Sequence, residues 1–368
     1  MKRIKGIDTI RGLVIVITLL HMIEWWVHPD DHWLFVIMVG IVGEVGASGF
    51  LFVSGLSAIM LFRNRFNKAV NSDDYSVNQV KNEYLFRALI ILIISLIFNS
   101  IVAIGTLNPL DIWKWFIPLT IGISLFLAFP LLKTPKSLRI ALAVILWIIH
   151  YNLVSFLSPF QGQANLFGVL FHFLYNSLDL HPFLYYFSFF LIGTVVGDVI
   201  LDIYLKDDQK KRRLDLKKKF LIPSLIIGPI LLLIGVLFQF PSFLMHITVS
   251  STIYSLGFLL TLMAILLINE EFEIIKPKKS YRFFFYYSYY SLTVFFSHYL
   301  LYFIFLGQLN AFIICIPIIA TYILLTLLIR AVYKKYGVKA SLKAQIGRLS
   351  QVLARRVEVK KEKKSNQI

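Results

Sequence analysis

The sequence predicts an all-α, polytopic integral membrane protein of about ten transmembrane helices, and three observations predict it. Of its 368 residues, 58% are apolar and 15% are charged, and the mean hydropathy is +0.75. Soluble domains sit nearer roughly 45–50% apolar and 25% charged, and a soluble chain cannot hide this much apolar side chain from water. The apolar residues also gather into runs long enough to cross a bilayer. Lastly, the positive side chains fall in alternate segments between those runs. A net charge of +17 in a soluble chain would point to nucleic acid. In so apolar a chain it reads as basic loops on the cytoplasmic side of a membrane, and no nucleic-acid partner is expected. Cys315 is the only cysteine and lies in an apolar run, which excludes an intrachain disulfide and a cysteine-based metal site.

About 20 apolar residues are needed to cross the hydrocarbon layer. Ten stretches qualify, at about 10–27, 34–62, 84–107, 113–132, 138–157, 182–204, 219–240, 247–269, 284–304 and 310–329. The second is long enough to be tilted or broken. The first is too long, and too polar at its outer end, for a cleaved signal peptide. With the N-terminus inside, 36 of the 37 Lys and Arg residues fall on the cytoplasmic side and only Lys114 falls outside. Both ends of the chain are therefore expected in the cytoplasm. Residues 1–330 read as the membrane domain and 331–368 as a basic cytoplasmic tail, amphipathic over 340–357, lying on anionic headgroups. The aromatic run at 283–292 reads mostly as an interfacial belt. No internal repeat is visible, which counts against a secondary transporter.

The histidines show the opposite asymmetry. All eight (His21, His28, His32, His150, His172, His181, His246 and His298) fall in the outer half of a span or in an outer loop. Imidazole takes and gives a proton near neutral pH, which Lys and Arg normally do not. In the first helix His21, Glu24 and His28 are spaced i, i+3, i+7 and are expected to share one face, with His32 continuing past the break at Pro29. Ionisable groups within a membrane are costly and mark functional sites. A carboxylate beside an imidazole fixes its tautomer, as a general base requires. The alternatives are a structural hydrogen-bonded cluster and a two-His, one-Glu zinc site. No metal is expected, because no zincin spacing is present.

In the second span Gly40, Gly43, Gly46 and Gly49 recur at three-residue spacing, a pattern that lets helix backbones approach closely. Glu44 and Ser48 form an i, i+4 pair in its outer half, with the first-helix histidines as the expected partners of Glu44. Ser54 and Gly55 lie deeper. Arg11 stands at the inner end of the first span. It either snorkels to headgroups or joins Arg63, Arg65 and Arg87 in a basic mouth for a phosphorylated cytoplasmic ligand. Asn99, Asp198, Asp202, Ser297 and His298 are further deep polar groups. No glycine-rich phosphate loop, nucleophile elbow or HExxH motif occurs.

The segments IDTIRGLVIVITLLH, GASGFLFVSGLSAIMLFRNR and HPFLYYFSFFLIGTVVGD resemble the transmembrane acyltransferase superfamily. Within it they resemble the heparan-α-glucosaminide N-acetyltransferase catalytic-domain family. The matching positions are Asp8, Arg11, Gly12 and Leu13, then Glu44, then Phe50, Phe52, Ser54 and Gly55. The resemblance implies a catalytic histidine in the loop after the first helix. Spacing from Arg11 and Glu44 puts it on His32, while an alternative pattern on the first helix points to His21. This chain departs from the family in having Glu44 where Asp is commoner, a short outer loop, and three histidines for one role.

By that resemblance the chain is expected to be an acyltransferase. It would move an acyl group, most simply acetyl, from cytoplasmic acetyl-CoA to a hydroxyl or amine of a glycan or glycolipid at the outer face. The implied catalytic set is His32, Glu44 and His21. The implied substrate-binding set is Arg11, Glu24, His28, Ser48, Ser54, Arg63, Arg87 and His298. The partners expected are acyl-CoA, the glycan or glycolipid acceptor and the lipid bilayer, with a homodimer left open. The runner-up reading is a proton-coupled transporter or flippase of a small or lipid-linked solute, and the third is a non-catalytic scaffold or sensor.

Overall fold

A computed structural model describes residues 4–71, 76–177, 181–206, 208–274 and 281–365, and these residues are helical with no strand among them. The early helices are α1 Lys5–Thr18, α2 Met22–Trp26, α3 His32–Asn71, α4 Val77–Gly105 and α5 Ile117–Leu131. Next come α6 Lys136–Leu157, α7 Leu166–Leu174, α8 Phe183–Tyr204, α9 Gln209–Leu216 and α10 Ile222–Leu237. The last are α11 Val249–Phe272, α12 Tyr281–Tyr289, α13 Ser291–Ser297, α14 Cys315–Tyr336 and α15 Leu342–Ser365.

Among the described residues, eight helical stretches are long and apolar enough to cross a membrane, and two further apolar helices, Ile117–Leu131 and Ser291–Phe303, are shorter. The chain is a multi-pass integral membrane protein. The two shorter helices correspond to the fourth and ninth apolar stretches of the sequence. The fourth loses its first residues to a 3-10 turn, Pro109–Trp113, and to extended backbone at Lys114 and Phe116. The ninth is broken at Tyr290 and tightens to 3-10 geometry over His298–Phe303.

The chain divides into two compact units: Met1–Phe50 with Asp202–Gln345, and Leu51–Leu201 with Ile346–Ile368. In the first unit α1 packs on α11 and α12. No side chain at Ile4 caps α1. Its first amides, Lys5 N and Gly6 N, instead donate to the two oxygens of Glu270 at 2.8 and 2.6 Å, where the positive end of the helix dipole favours a carboxylate. The adjacent Glu271 accepts from Arg212 Nη2 at 2.8 Å. The aromatic run is not simply an interfacial belt. Tyr287 and Tyr290 are buried, Tyr287 hydroxyl lies 3.1 Å from Thr326 Oγ1, and Tyr290 hydroxyl donates to Gly337 O at 2.6 Å. A buried tyrosine keeps its hydroxyl only with such a partner.

In the second unit the small residues of α3 and α8 interlock. A Cβ at Gly55 would strike the carbonyl of Phe190, and one at Gly193 would strike the carbonyl of Phe52, so only glycine allows this crossing. Buried carboxylates organise the polar interior. Asp198 pairs with Arg63 at 2.7 Å and with Arg139, whose side chain is 2% exposed. Glu83 pairs with Arg65 and, at 3.7 Å, with Arg87. The basic end of the chain is not simply a solvated run. In α15, Ile346, Ser350 and Ala354 are buried along one stripe at i, i+4, i+8, and Ser76 Oγ donates to Glu358.

Candidate active site

The polar centre of the first unit is Glu44. Its side chain is 3% exposed, and its Oε2 lies 3.1 Å from Nδ1 of His246, whose side chain is 40% exposed. A carboxylate taken out of water needs such a donor. Glu44 comes from the N-terminal half of α3 and His246 from the loop between α10 and α11. Ser48, the i+4 neighbour, does not bind the carboxylate. Its Oγ donates to the main-chain carbonyl of Glu44 at 2.6 Å, as serines inside helices do.

The loop that carries His246 is closely held. Thr248 caps α11 in a capping box with Ser251, and its hydroxyl also donates to Ser242 O at 2.8 Å. Ser250 Oγ donates to Phe238 O. On the other side, a Cβ at Gly40 would meet Leu244 at 2.8 Å, so the absence of a side chain there lets the loop lie against α3. The other small residues of this face also serve packing: Gly46 faces Ile17, and Gly49 faces Val14 and Leu259.

The histidines of the first helix are arranged differently from their spacing. The helix tightens to a 3-10 turn at Leu19–His21 and ends at Trp26, with Val27 extended. His28 precedes Pro29, which disfavours helical backbone at that position, and is itself extended (ψ 143°). It therefore does not share a helical face with His21 and Glu24. Instead its Nδ1 accepts from Asp30 N at 3.4 Å. His21 and Glu24 do meet, at 3.4 Å, with Glu24 44% exposed. His32 is exposed and lies 5.1 Å, ring to ring, from Phe35.

The expected contact between His32 and Glu44 does not form. Both stand on the continuous helix α3, where twelve positions amount to about 18 Å of rise. His298 is buried, donates from Nδ1 to Phe295 O and stacks on Trp25 at 5.4 Å. Ser54 is half-buried beside the interlocked Gly55.

Arg11, Arg63, Arg65 and Arg87 each have a carboxylate partner. Arg11 Nη1 lies 3.5 Å from Asp8 Oδ1 and 3.4 Å from Ser288 Oγ, and Ser288 Oγ donates to Asp8 at 3.1 Å. Arg63 and Arg87 belong to the second unit, in the two clusters described above. Each of those clusters sets two guanidinium groups beside one carboxylate. Among the described residues no group of three or more His, Cys, Asp or Glu could hold a metal.

The family model for the catalytic domain of heparan-alpha-glucosaminide N-acetyltransferase matches residues 3–240, about two thirds of the chain. The chain belongs to this family. It is therefore a member of a transmembrane acetyltransferase family. A search of curated proteins found no match. The matched segment holds Asp8, Arg11, His21, His32, Glu44 and Gly55, and ends before His246. That residue was legible only as one of eight outward histidines. A buried carboxylate in an apolar helix signals that a partner exists, but 202 residues separate Glu44 from His246.

Proposed function

We propose that the chain is an integral-membrane acetyltransferase that takes the acetyl group of acetyl-CoA from the cytoplasmic side. It passes that group to an amine or hydroxyl of a glycan or glycolipid at the outer face. The observation that carries this reading is membership of the N-acetyltransferase family over residues 3–240. The charge distribution supports it. In the orientation expected from the sequence, 36 of 37 positive side chains fall on the cytoplasmic side. That face would attract the donor's phosphates, and the guanidinium fork suits phosphate oxygens.

The acceptor must lose a proton as it attacks the thioester, and this requires a base near neutral pH. The outer-side histidines supply the candidates, with Glu44 as the buried carboxylate among them. The family resemblance favours His32 in that role and His21 after it. Groups of the Arg11, Asp8 and Ser288 network are candidates for contact with the donor, as are Arg63 and Arg87.

The direct test uses purified protein in lipid nanodiscs with radiolabelled acetyl-CoA and glucosamine. Label appearing on the sugar, dependent on protein, is the expected result. Absence of transfer, together with absence of acetyl-CoA binding, would overturn the reading.

A further inference from the structure

We infer that Asp31 is a positioning residue for His32, and that the segment 301–311, beyond the matched residues 3–240, completes the transfer site by holding the loop that leads to His32. The inference rests on the acetyl-transfer reading above, with His32 as its base, and adds the elements that keep that base in place.

The need for such a hold begins in the sequence. Pro29 keeps His28 out of helical backbone, so the first helix ends at Trp26, and Val27 and His28 run extended with ψ of 140° and 143°. Backbone groups released by a helix break must find partners elsewhere. Here they find them in one distant segment. Gly307 N donates to Trp25 O at 2.9 Å, Leu309 N donates to Trp26 O at 2.8 Å, and His28 N donates to Leu309 O at 2.7 Å. Val27 and Leu309 thereby face each other as a parallel bridge. Gly307 has a φ of +62°, which glycine adopts without strain, and it turns the segment into register. Trp26 is fully buried, and its indole N–H donates to Leu301 O at 2.8 Å.

Asp31 is the side chain that carries this clamp to His32. Its Oδ2 accepts from Ala311 N at 2.9 Å across 280 positions of sequence, so the residue directly before His32 is tied to the same segment. That segment is itself braced, because Asn310 Oδ1 accepts from Phe312 N at 3.1 Å and Ile313 N at 2.9 Å. The loop after the first helix is therefore fastened at both ends, by the amide of His28 and the carboxylate of Asp31.

His32 opens α3 immediately beyond this fastening, exposed and with its ring 5.1 Å from that of Phe35. The Phe35 ring also lies 6.3 Å from that of His21. A base must stand within about 2.6–3.2 Å of the proton it takes. A displacement of about 1 Å costs on the order of 10²-fold in rate. An exposed imidazole beside a proline-broken turn meets that tolerance only if the turn is held, and the Asp31 contact holds it.

The test uses the full chain in nanodiscs with radiolabelled acetyl-CoA and glucosamine. Asp31→Ala is expected to lose about 10- to 100-fold in kcat, with KM for acetyl-CoA within about twofold. Asp31→Asn keeps a side-chain oxygen that accepts from Ala311 N and should recover most of that loss. A second arm leaves Asp31 intact. In a Cys315→Ala background, Val27→Cys with Leu309→Cys should form an intramolecular disulfide, since bridged neighbours lie within the Cα separation that a disulfide spans. The oxidised protein should transfer acetyl as fast as its reduced form, because the clamp stays closed through turnover. Wild-type kcat in Asp31→Ala, or equal losses in the Ala and Asn variants, overturns the assignment while acetyl transfer by the wild type stands. Failure of the cysteine pair to crosslink, or a crosslinked protein that is inactive until reduced, overturns it as well. A wild-type protein that neither binds acetyl-CoA nor labels glucosamine overturns the transfer reading, and the assignment with it.

Discussion

The Lys114 ammonium lies 2.7 Å from the Asp111 carboxylate. Lys114 is the one positive side chain that the charge pattern leaves on the outer side, and the structure gives it a negative partner three residues away. The same carboxylate accepts from Thr106 Oγ1 at 2.7 Å and Asn108 Nδ2 at 3.1 Å, and buried Asn99 donates to the carbonyls of Ile112 and Lys114. The exception to the positive-inside pattern is thus a locally neutralised turn.

The orientation expected from that asymmetry is open to labelling. In a Cys315→Ala background, Lys114→Cys should react with a membrane-impermeant maleimide added to sealed cells. Lys211→Cys should react only after permeabilisation. Labelling of position 211 from outside would reverse the topology.

The turn should also leave a trace in the pH dependence of stability. Burial alone would raise the Asp111 carboxyl, but hydrogen bonds from Lys114 and Thr106 and the Lys114 charge outweigh it and hold it below the usual carboxylate value. A carboxyl depressed in the folded state contributes fully above its unfolded value of about 3.9. The contribution is lost as pH falls through the lower folded value. Asp111→Asn should therefore melt below wild type at pH 7, with the difference shrinking below about pH 4. A constant difference from pH 7 to pH 3 would show that the charge of Asp111 contributes nothing.

Removing Asp198 should be far more damaging than removing an exposed acid. It would leave Arg139, with a side chain 2% exposed, as a buried and uncompensated charge. Breaking a buried pair in this way costs about 3–5 kcal/mol. Asp198→Ala should thus lose most folded protein after detergent extraction, and Asp198→Ala with Arg139→Met should recover part of it. Fluorescence-detected size exclusion reads both.

Arg11 provides the test of the donor side. A charge-assisted contact to phosphate contributes about 1.5–3 kcal/mol, so Arg11→Ala should weaken CoA binding by about 10- to 150-fold. Since Asp8 would lose one of its partners, Arg11→Lys is the matched control. It keeps the charge and should retain more affinity. Equal CoA affinity in Arg11→Ala and wild type, measured by calorimetry on folded protein, would leave Arg11 a structural partner of Asp8.

Much of the site could be approached from sequence, though not its pairing. Glu44 stands out because a carboxylate in an apolar helix must have a donor, and Arg11 because it opens a motif at a span boundary. The spacing of His21, Glu24 and His28 read correctly for the first two and failed for His28, because Pro29 forces extended backbone just before it. The contact expected between His32 and Glu44 failed because α3 starts as early as His32, which places both residues on one rigid rod. The tail and the aromatic run were legible as amphipathic and aromatic, but the contacts of Ser76 with Glu358 and of Tyr290 with Gly337 are not written in either segment alone.

The sequence by itself determined the helical membrane character and the positions of the apolar stretches, because transfer into hydrocarbon is close to a local sum over about 20 residues. It also determined where small residues let helices touch. Only the tertiary structure decided which histidine meets Glu44 and which arginines meet Asp198 and Glu83. Such pairings depend on how the chain turns between helices, and the cost of an unpaired buried charge demands some partner without saying which one.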